Sequence, residues 1–197
     1  MQNVREDRDK YIGGSDIPIL MGISPFRSRY SLLQEKAGIK ENTFEGNMYT
    51  EYGNVMEEKI RDHINKHRRK KFVEDKIICG DLRYHADGYD GSRVLEIKTT
   101  SRIHTDVNKY KMYLVQLLFG MQMYAASEGM LVVYERPEQM STQLEPKRLH
   151  VYRIRRTKYK GLLTEISICL EKFREDLAFL KEHPLATEEE IEGREDG

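Results

Sequence analysis

Asp87-Gly88-Tyr89-Asp90-Gly91-Ser92-Arg93-Val94-Leu95-Glu96-Ile97-Lys98 is the stretch on which the reading of this chain turns. Asp90-Gly91 predicts a tight hairpin turn between two extended segments. Along the second segment, side chains alternate between faces, so Leu95 and Ile97 point one way and Glu96 and Lys98 the other. With Asp90 and Gly91 as the central turn residues, Tyr89 pairs with Ser92 and Asp87 with Val94. Asp87 then shares the face of Glu96 and Lys98, close enough to Glu96 to share an ion. The step depends on loop length, because a one-residue change would reverse the parity.

The rest of the chain is read outward from that hairpin. Residues 71–79 and 82–89 precede it as strands, and 93–99 is its second arm. Upstream, residues 50–66 form a helix with an apolar stripe of Tyr52, Val55, Met56, Ile60 and Ile64. Ser24-Pro25 signals an earlier helix start, Gly38 its stop. Residues 12–18, Ile-Gly-Gly-Ser-Asp-Ile-Pro, make a tight turn into a short helix with Ser15 or Asp16 as cap. Downstream, a long helix covers 107–127 and stops at Gly129. Residues 130–135 form a strand apolar enough to be central, 149–155 a further strand, and 159–181 a last helix ended by Pro184. This order predicts an α/β fold, a mixed sheet with helices on both faces. We expect one domain over 1–181 and a separate acidic, flexible tail over 182–197.

Composition limits the function classes. The chain has 197 residues, 39% hydrophobic and 34% charged, a balance neither disordered nor membrane-embedded. No window is long and apolar enough to span a bilayer, and no leader is visible at the amino end, so the expected location is cytoplasmic. Cys79 and Cys169 make neither a disulfide framework nor a four-cysteine cluster, and are read as buried thiols. The 33 basic and 33 acidic residues cancel only formally. Residues 182–197 hold seven of the acids and one base, which leaves 32 bases against 26 acids in the body. A body of that charge accepts a polyanion.

The hairpin residues carry a specific chemistry. Two carboxylates this close repel unless a cation lies between them. Oxygen ligands of this kind suit Mg²⁺ or Mn²⁺, with the Ile97 carbonyl as a further ligand beside Asp87 and Glu96. Such an ion contacts a phosphodiester oxygen and acidifies a bound water. Lys98 would orient or help deprotonate the water, or hold the phosphate. The same residues also read as an exposed hairpin with a surface Glu–Lys pair. On the 50–66 helix, Gly53 clears space one turn before Glu57, which would assist a second ion or the nucleophile. On the long helix, Lys109 and Gln116 are seven apart and share a face, Lys109 toward phosphate and Gln116 toward a cleft water, a carboxylate or DNA. Basic runs at 66–71 and 147–160 supply charge along a strand path without reading bases.

Taken together, Ile12-Gly-Gly-Ser-Asp16, Gly53-Asn-Val-Met-Glu57, Asp87-Gly88, Glu96-Ile-Lys98 and Tyr113-Leu-Val-Gln116 are similar to the YqaJ-like viral recombinase nucleases. These are relatives of phage lambda exonuclease within the PD-(D/E)xK superfamily. The resemblance runs from about residue 8 to 129, with weaker support to about 181. It implies a restriction-endonuclease-like fold, Asp87 and Glu96 as metal ligands, Lys98 as catalytic lysine, Glu57 as an upstream acid and Gln116 as an active-site glutamine. It places Ser15 at a substrate phosphate and Arg8 at a terminal 5′-phosphate. It implies Mg²⁺-dependent 5′→3′ digestion of linear double-stranded DNA, a 3′ overhang loaded by a phage annealing protein, and in some members a trimer closed around DNA. Ala86 stands where the superfamily signature has proline. No Gly-rich phosphate loop ending in Lys-Ser/Thr is present, so duplex melting has no motor in this sequence. A DNA endonuclease on the same fold and an inactive DNA-binding protein remain alternatives.

Overall fold

The computed structural model describes residue 7, residues 9–41 and residues 46–195. In chain order the elements are β1 (Ile12–Gly13), a 3-10 turn (Gly14–Asp16), α1 (Ile17–Leu20), α2 (Arg29–Lys36), α3 (Met48–Asn65), β2 (Val73–Cys79), β3 (Leu82–Tyr89) and β4 (Arg93–Thr100). There follow a 3-10 turn (Val107–Tyr110), α4 (Lys111–Met123), β5 (Glu128–Glu135), β6 (Leu149–Arg155), α5 (Lys160–Glu182) and α6 (Glu188–Glu192). The strands form one mixed sheet in the order β1-β3-β4-β5-β6, with β2 also paired to β3. β4 and β5 run parallel, the crossover made by α4; β2, β3 and β4 form an antiparallel meander, and β5 and β6 pair antiparallel. This is the mixed α/β architecture expected from the sequence, that of restriction-endonuclease-like folds.

Alternation along the central strands divides the core in two. Val94, Leu131 and Val133 pack with α1, α2, α4 and α5 through residues such as Leu20, Leu33, Leu118 and Phe173. Leu95, Ile97, Met130 and Val132 face the other way, onto Tyr52, Met56 and Ile60 of α3. β5 lies between β4 and β6 and is buried from Gly129 to Tyr134, as its apolar run requires.

Several boundaries differ from the sequence reading, each for a local reason. The hairpin turn is centred on Gly91-Ser92, with Tyr89 paired to Val94 and the Asp90 N–H donating to the Arg93 carbonyl. The Asp90 carboxylate fixes that turn by accepting from the N–H groups of Ser92 and Arg93, and Gly91 takes φ +85°. Because each partner moves by two residues, the face parity survives. α2 begins at Arg29, not at Ser24-Pro25. Ser28 is its cap, and Arg27 stays outside the helix, where its guanidinium reaches Glu35 at 2.5 Å. The long helix ends at Met123; Ala125, at φ +52°, reverses the chain. Gly129 is therefore a strand residue. A Cβ there would lie 2.6 Å from the Met121 sulfur, so the glycine admits β5 beneath α4. Val55 of the expected apolar stripe is exposed. Cys79 is exposed and Cys169 half-buried, so neither is the fully buried thiol expected.

Residues 182–195 differ from the free tail expected of their composition. α6 is capped by Thr187 and docks Ile191 into the core, with Ala186 buried beside it. The Tyr30 hydroxyl donates to the Ala186 carbonyl at 2.7 Å. Arg194 lies over the Phe179 ring.

Candidate active site

The site begins with a defect in β3. Between β2 and β3 the register shifts by one: Val73 faces Tyr89, but Asp75 faces Ala86. One extra residue of β3 is accommodated at Asp87-Gly88, a β-bulge of the sort that re-aims side chains. Gly88 is needed there, since a Cβ would come within 2.7 Å of Phe72 and 3.1 Å of Leu95. The bulge brings Tyr84, three residues before Asp87, onto the face of Glu96.

The second cause is an unfilled edge. β2 occupies one edge of β3 along nearly its full length. The other edge is shared: β1 pairs only with Leu82 and Arg83, and β4 only with Gly88 and Tyr89. Between them the edge of residues 84–87 has no strand, and a cleft of about 210 Å³ opens there. It is lined by Tyr11, Gly13, Gly14, Ser15, Asp16, Arg83, Tyr84, His85, Asp87, Glu96, Lys98 and Gln116.

Within the cleft the sequence-predicted residues meet. Past Leu95 the β3–β4 ladder stops, and Oδ2 of Asp87 accepts the Ile97 N–H at 2.6 Å in its place. Because the N–H and C=O of a strand residue project to one edge, the Ile97 carbonyl faces the same gap. Oδ1 of Asp87 has no hydrogen-bond partner among the described residues. Glu96 is buried. Its Oε1 meets the Lys98 ammonium at 2.7 Å, and its Oε2 accepts from the Tyr84 hydroxyl. Gln116 reaches the cleft from α4. Ser15 reaches it from the 3-10 turn, which is pinned by the buried Asp16–Lys36 ion pair at 2.9 Å and by the Gly13 N–H on Asp16 Oδ2. Asp16 thus caps backward onto Gly13 and does not cap α1.

Glu57 approaches from the α3 side. Arg61, one turn further on, donates to Glu57 at 3.0 Å, to the Asp87 carbonyl at 2.7 Å and to Glu74, tying helix to bulge. Gly53 has ordinary room for a Cβ, 3.8 Å from Thr99, so nothing in the fold requires a glycine there. Lys109 does not join the cleft. It sits exposed on the 3-10 turn before α4, while Gln116 lines the cleft. Arg8 lies outside the described residues. Of the basic runs, Arg68 is bound to Asp90 and Arg148 to Glu145, while Lys66, Arg69, Lys70 and Lys158 are exposed.

Electrostatics follow from burial and crowding. Burial, then the charges of Glu96 and Glu57, push the Asp87 carboxyl well above its ordinary value. Glu57 is raised by burial, against the opposing pull of Arg61. Burial works to lower the Lys98 ammonium, but Glu96 and Asp87 outweigh it and the group is raised. In this arrangement the charged form of Lys98 is favoured by its two carboxylate neighbours. His85 is lowered, by burial and then by Arg83, and stays neutral.

The donor chemistry fits a hard divalent cation: two converging carboxylates and a carbonyl on one gap, with excess negative charge to be relieved. Among the described residues no group of three or more His, Cys, Asp or Glu is arranged to hold a metal, so water and substrate oxygens would complete the shell. Sequence reasoning missed Tyr84, Tyr11, Arg83, His85 and Arg61. Arg61 had a signal, its four-residue spacing from Glu57.

Fold and cleft together define an α/β protein related to the PD-(D/E)xK nucleases. The profile of the YqaJ-like viral recombinase domain matches residues 5–127, and the chain belongs to that family. Among solved structures it is similar to an alkaline exonuclease (LHK-Exo) from Laribacter hongkongensis, at 20% identity and TM-score 0.63 over 90% of this chain and 94% of that one. It also resembles a phage-related exonuclease from Haemophilus somnus 129PT, at 17% identity and TM-score 0.58 over 85% and 95% of the two chains. None of the curated proteins matches the chain by sequence.

Proposed function

We propose that this protein is a Mg²⁺-dependent exonuclease, Mn²⁺ substituting, that degrades linear double-stranded DNA 5′→3′ from a free end and leaves a 3′ overhang for phage recombination. Family membership and the exonuclease folds support nuclease chemistry on DNA in general. The observation that carries the finer reading is the convergence of Asp87 and Glu96 on one strand gap, with the Lys98 ammonium 2.7 Å from Glu96, in a cleft that also holds Ser15 and Gln116.

In this reading Asp87, Glu96 and the Ile97 carbonyl hold the ion. When bound, it would supply Lewis-acid contact to the phosphate and a water acidified toward neutrality. Lys98, its charge favoured by Glu96 and Asp87, neutralises charge developing on the phosphate and orients the attacking water. Gln116 hydrogen-bonds water or strand. Ser15 holds a backbone phosphate and Arg8 a terminal 5′-phosphate, with Lys109 touching the DNA outside the cleft. Glu57, held by Arg61, supports the metal side of Asp87. Homo-trimer assembly around DNA and hand-over to a single-strand annealing protein belong to the same proposal.

The test uses end-labelled linear, nicked and covalently closed duplexes, with and without Mg²⁺, read for product polarity. Linear DNA should yield 5′-mononucleotides only with Mg²⁺, and closed circles should survive. Cutting of closed circles would replace this reading with an endonuclease. Asp87→Asn should lower the rate at least about 10²-fold; cleavage at the wild-type rate would remove Asp87 from the site.

A further inference from the structure

The Tyr84 hydroxyl donates to Oε2 of Glu96, and the surrounding sequence is shaped around its ring. A Cβ on Gly120 would lie 2.3 Å from the ring, and one on Gly14 2.8 Å from it. Two backbones therefore close on the aromatic faces, one from α4 and one from the turn that carries Ser15. Phe119 and Tyr124 meet the ring edge-on at 6.1 and 6.3 Å. The side chain is fully buried and stands on Glu96's face only because of the bulge at Asp87-Gly88. A phenylalanine would fill the same volume, so packing alone does not account for the hydroxyl.

Resting on the metal-dependent reading above, we propose that Tyr84 is a positioning residue that reserves Oε2 of Glu96, so that Oε1 is the single oxygen offered to the cleft for Lys98 or a divalent cation. Outer-shell partners of this kind fix a carboxylate's rotamer, and their loss weakens metal binding about 10- to 100-fold. The same ring spaces Gln116's helix and Ser15's turn, so one side chain sets the relative placement of three cleft walls.

The experiment is Mn²⁺ titration of the full chain without DNA, followed by calorimetry, on wild type, Tyr84→Phe and Glu96→Gln, with thermal melting of each in EDTA. Tyr84→Phe should melt close to wild type, bind Mn²⁺ about tenfold more weakly, and recover cleavage in part at raised Mn²⁺. Wild-type Mn²⁺ affinity in Tyr84→Phe, with Glu96→Gln impaired, would overturn the role of Tyr84 and leave the metal reading intact. A loss of melting temperature in Tyr84→Phe with unchanged Mn²⁺ affinity would reduce it to a packing residue. Glu96→Gln binding Mn²⁺ as wild type does would overturn the metal reading and this proposal with it.

Discussion

Asp87 sits where its charged form is disfavoured. Its carboxyl is raised from an ordinary value of 3.8 by burial and by the charges of Glu96 and Glu57. The folded state therefore keeps a proton at pH values where the unfolded state has released it. The favourable contribution is fully present below the unfolded value and is lost as pH rises through the folded one. Asp87→Asn removes the charge while its amide oxygen still accepts the Ile97 N–H. In EDTA at pH 8 the variant should melt a few degrees above wild type, the shift that about 1 kcal/mol makes in a domain of this size. The gap should narrow as the pH falls and vanish below the ordinary carboxyl value of 3.8. A variant melting at or below wild type at pH 8 would show that the site bears no such strain. Asp87, Glu96 and Lys98 were legible in the sequence because an alternating strand makes their shared face a matter of counting. Tyr84 was not: its odd separation from Asp87 assigns it to the opposite face unless the bulge is known.

At the scale of elements, the contact of α4 with β3 is set by an absence. Alanine at Gly120 would gain roughly 1 kcal/mol of helix propensity. Its Cβ would meet the enclosed Tyr84 ring, and overpacking of that kind costs about 1–3 kcal/mol. Gly120→Ala should therefore lower stability in urea by up to about 2 kcal/mol and weaken cleavage by moving the Tyr84 hydroxyl off Glu96. Gly161→Ala, with open space around it, is the control and should be neutral or stabilising. A stabilised Gly120→Ala would mean the ring has room to move. Element types were legible from apolar periodicity, but their ends were not. Asp90-Gly91 is a good turn by composition, yet the Asp90 side chain accepts from the N–H groups of Ser92 and Arg93 and the turn's centre lies one residue on. The stop of α4 was similarly placed at Gly129, a glycine that serves not to end the helix but to let β5 pass under the Leu117 and Met121 side chains of that same helix.

At the scale of the molecule, the last residues bind the first helices. Ile191 is buried, Tyr30 holds Ala186, and α5 adds the pairing of Asp176 with Arg29 at 2.7 Å. Ile191→Ala should cost about 2–5 kcal/mol, seen as a lower melting temperature, while cleavage at 25 °C stays near wild type because, among the described residues, none beyond Gln116 lines the cleft. An unchanged melting temperature would mean α6 adds nothing to the fold. Acidic composition concealed this docking: one isoleucine among glutamates gives little periodicity to read, and charge counts do not show what a short helix leans on. Among the described residues, every wall of the cleft is drawn from the segment between Tyr11 and Gln116, and β5, β6, α5 and α6 hold those walls in place. Reactivity and scaffolding thus occupy successive portions of one polypeptide, and the second portion acts on the reacting groups through β5, which backs the strand carrying Glu96 and Lys98 along its whole length.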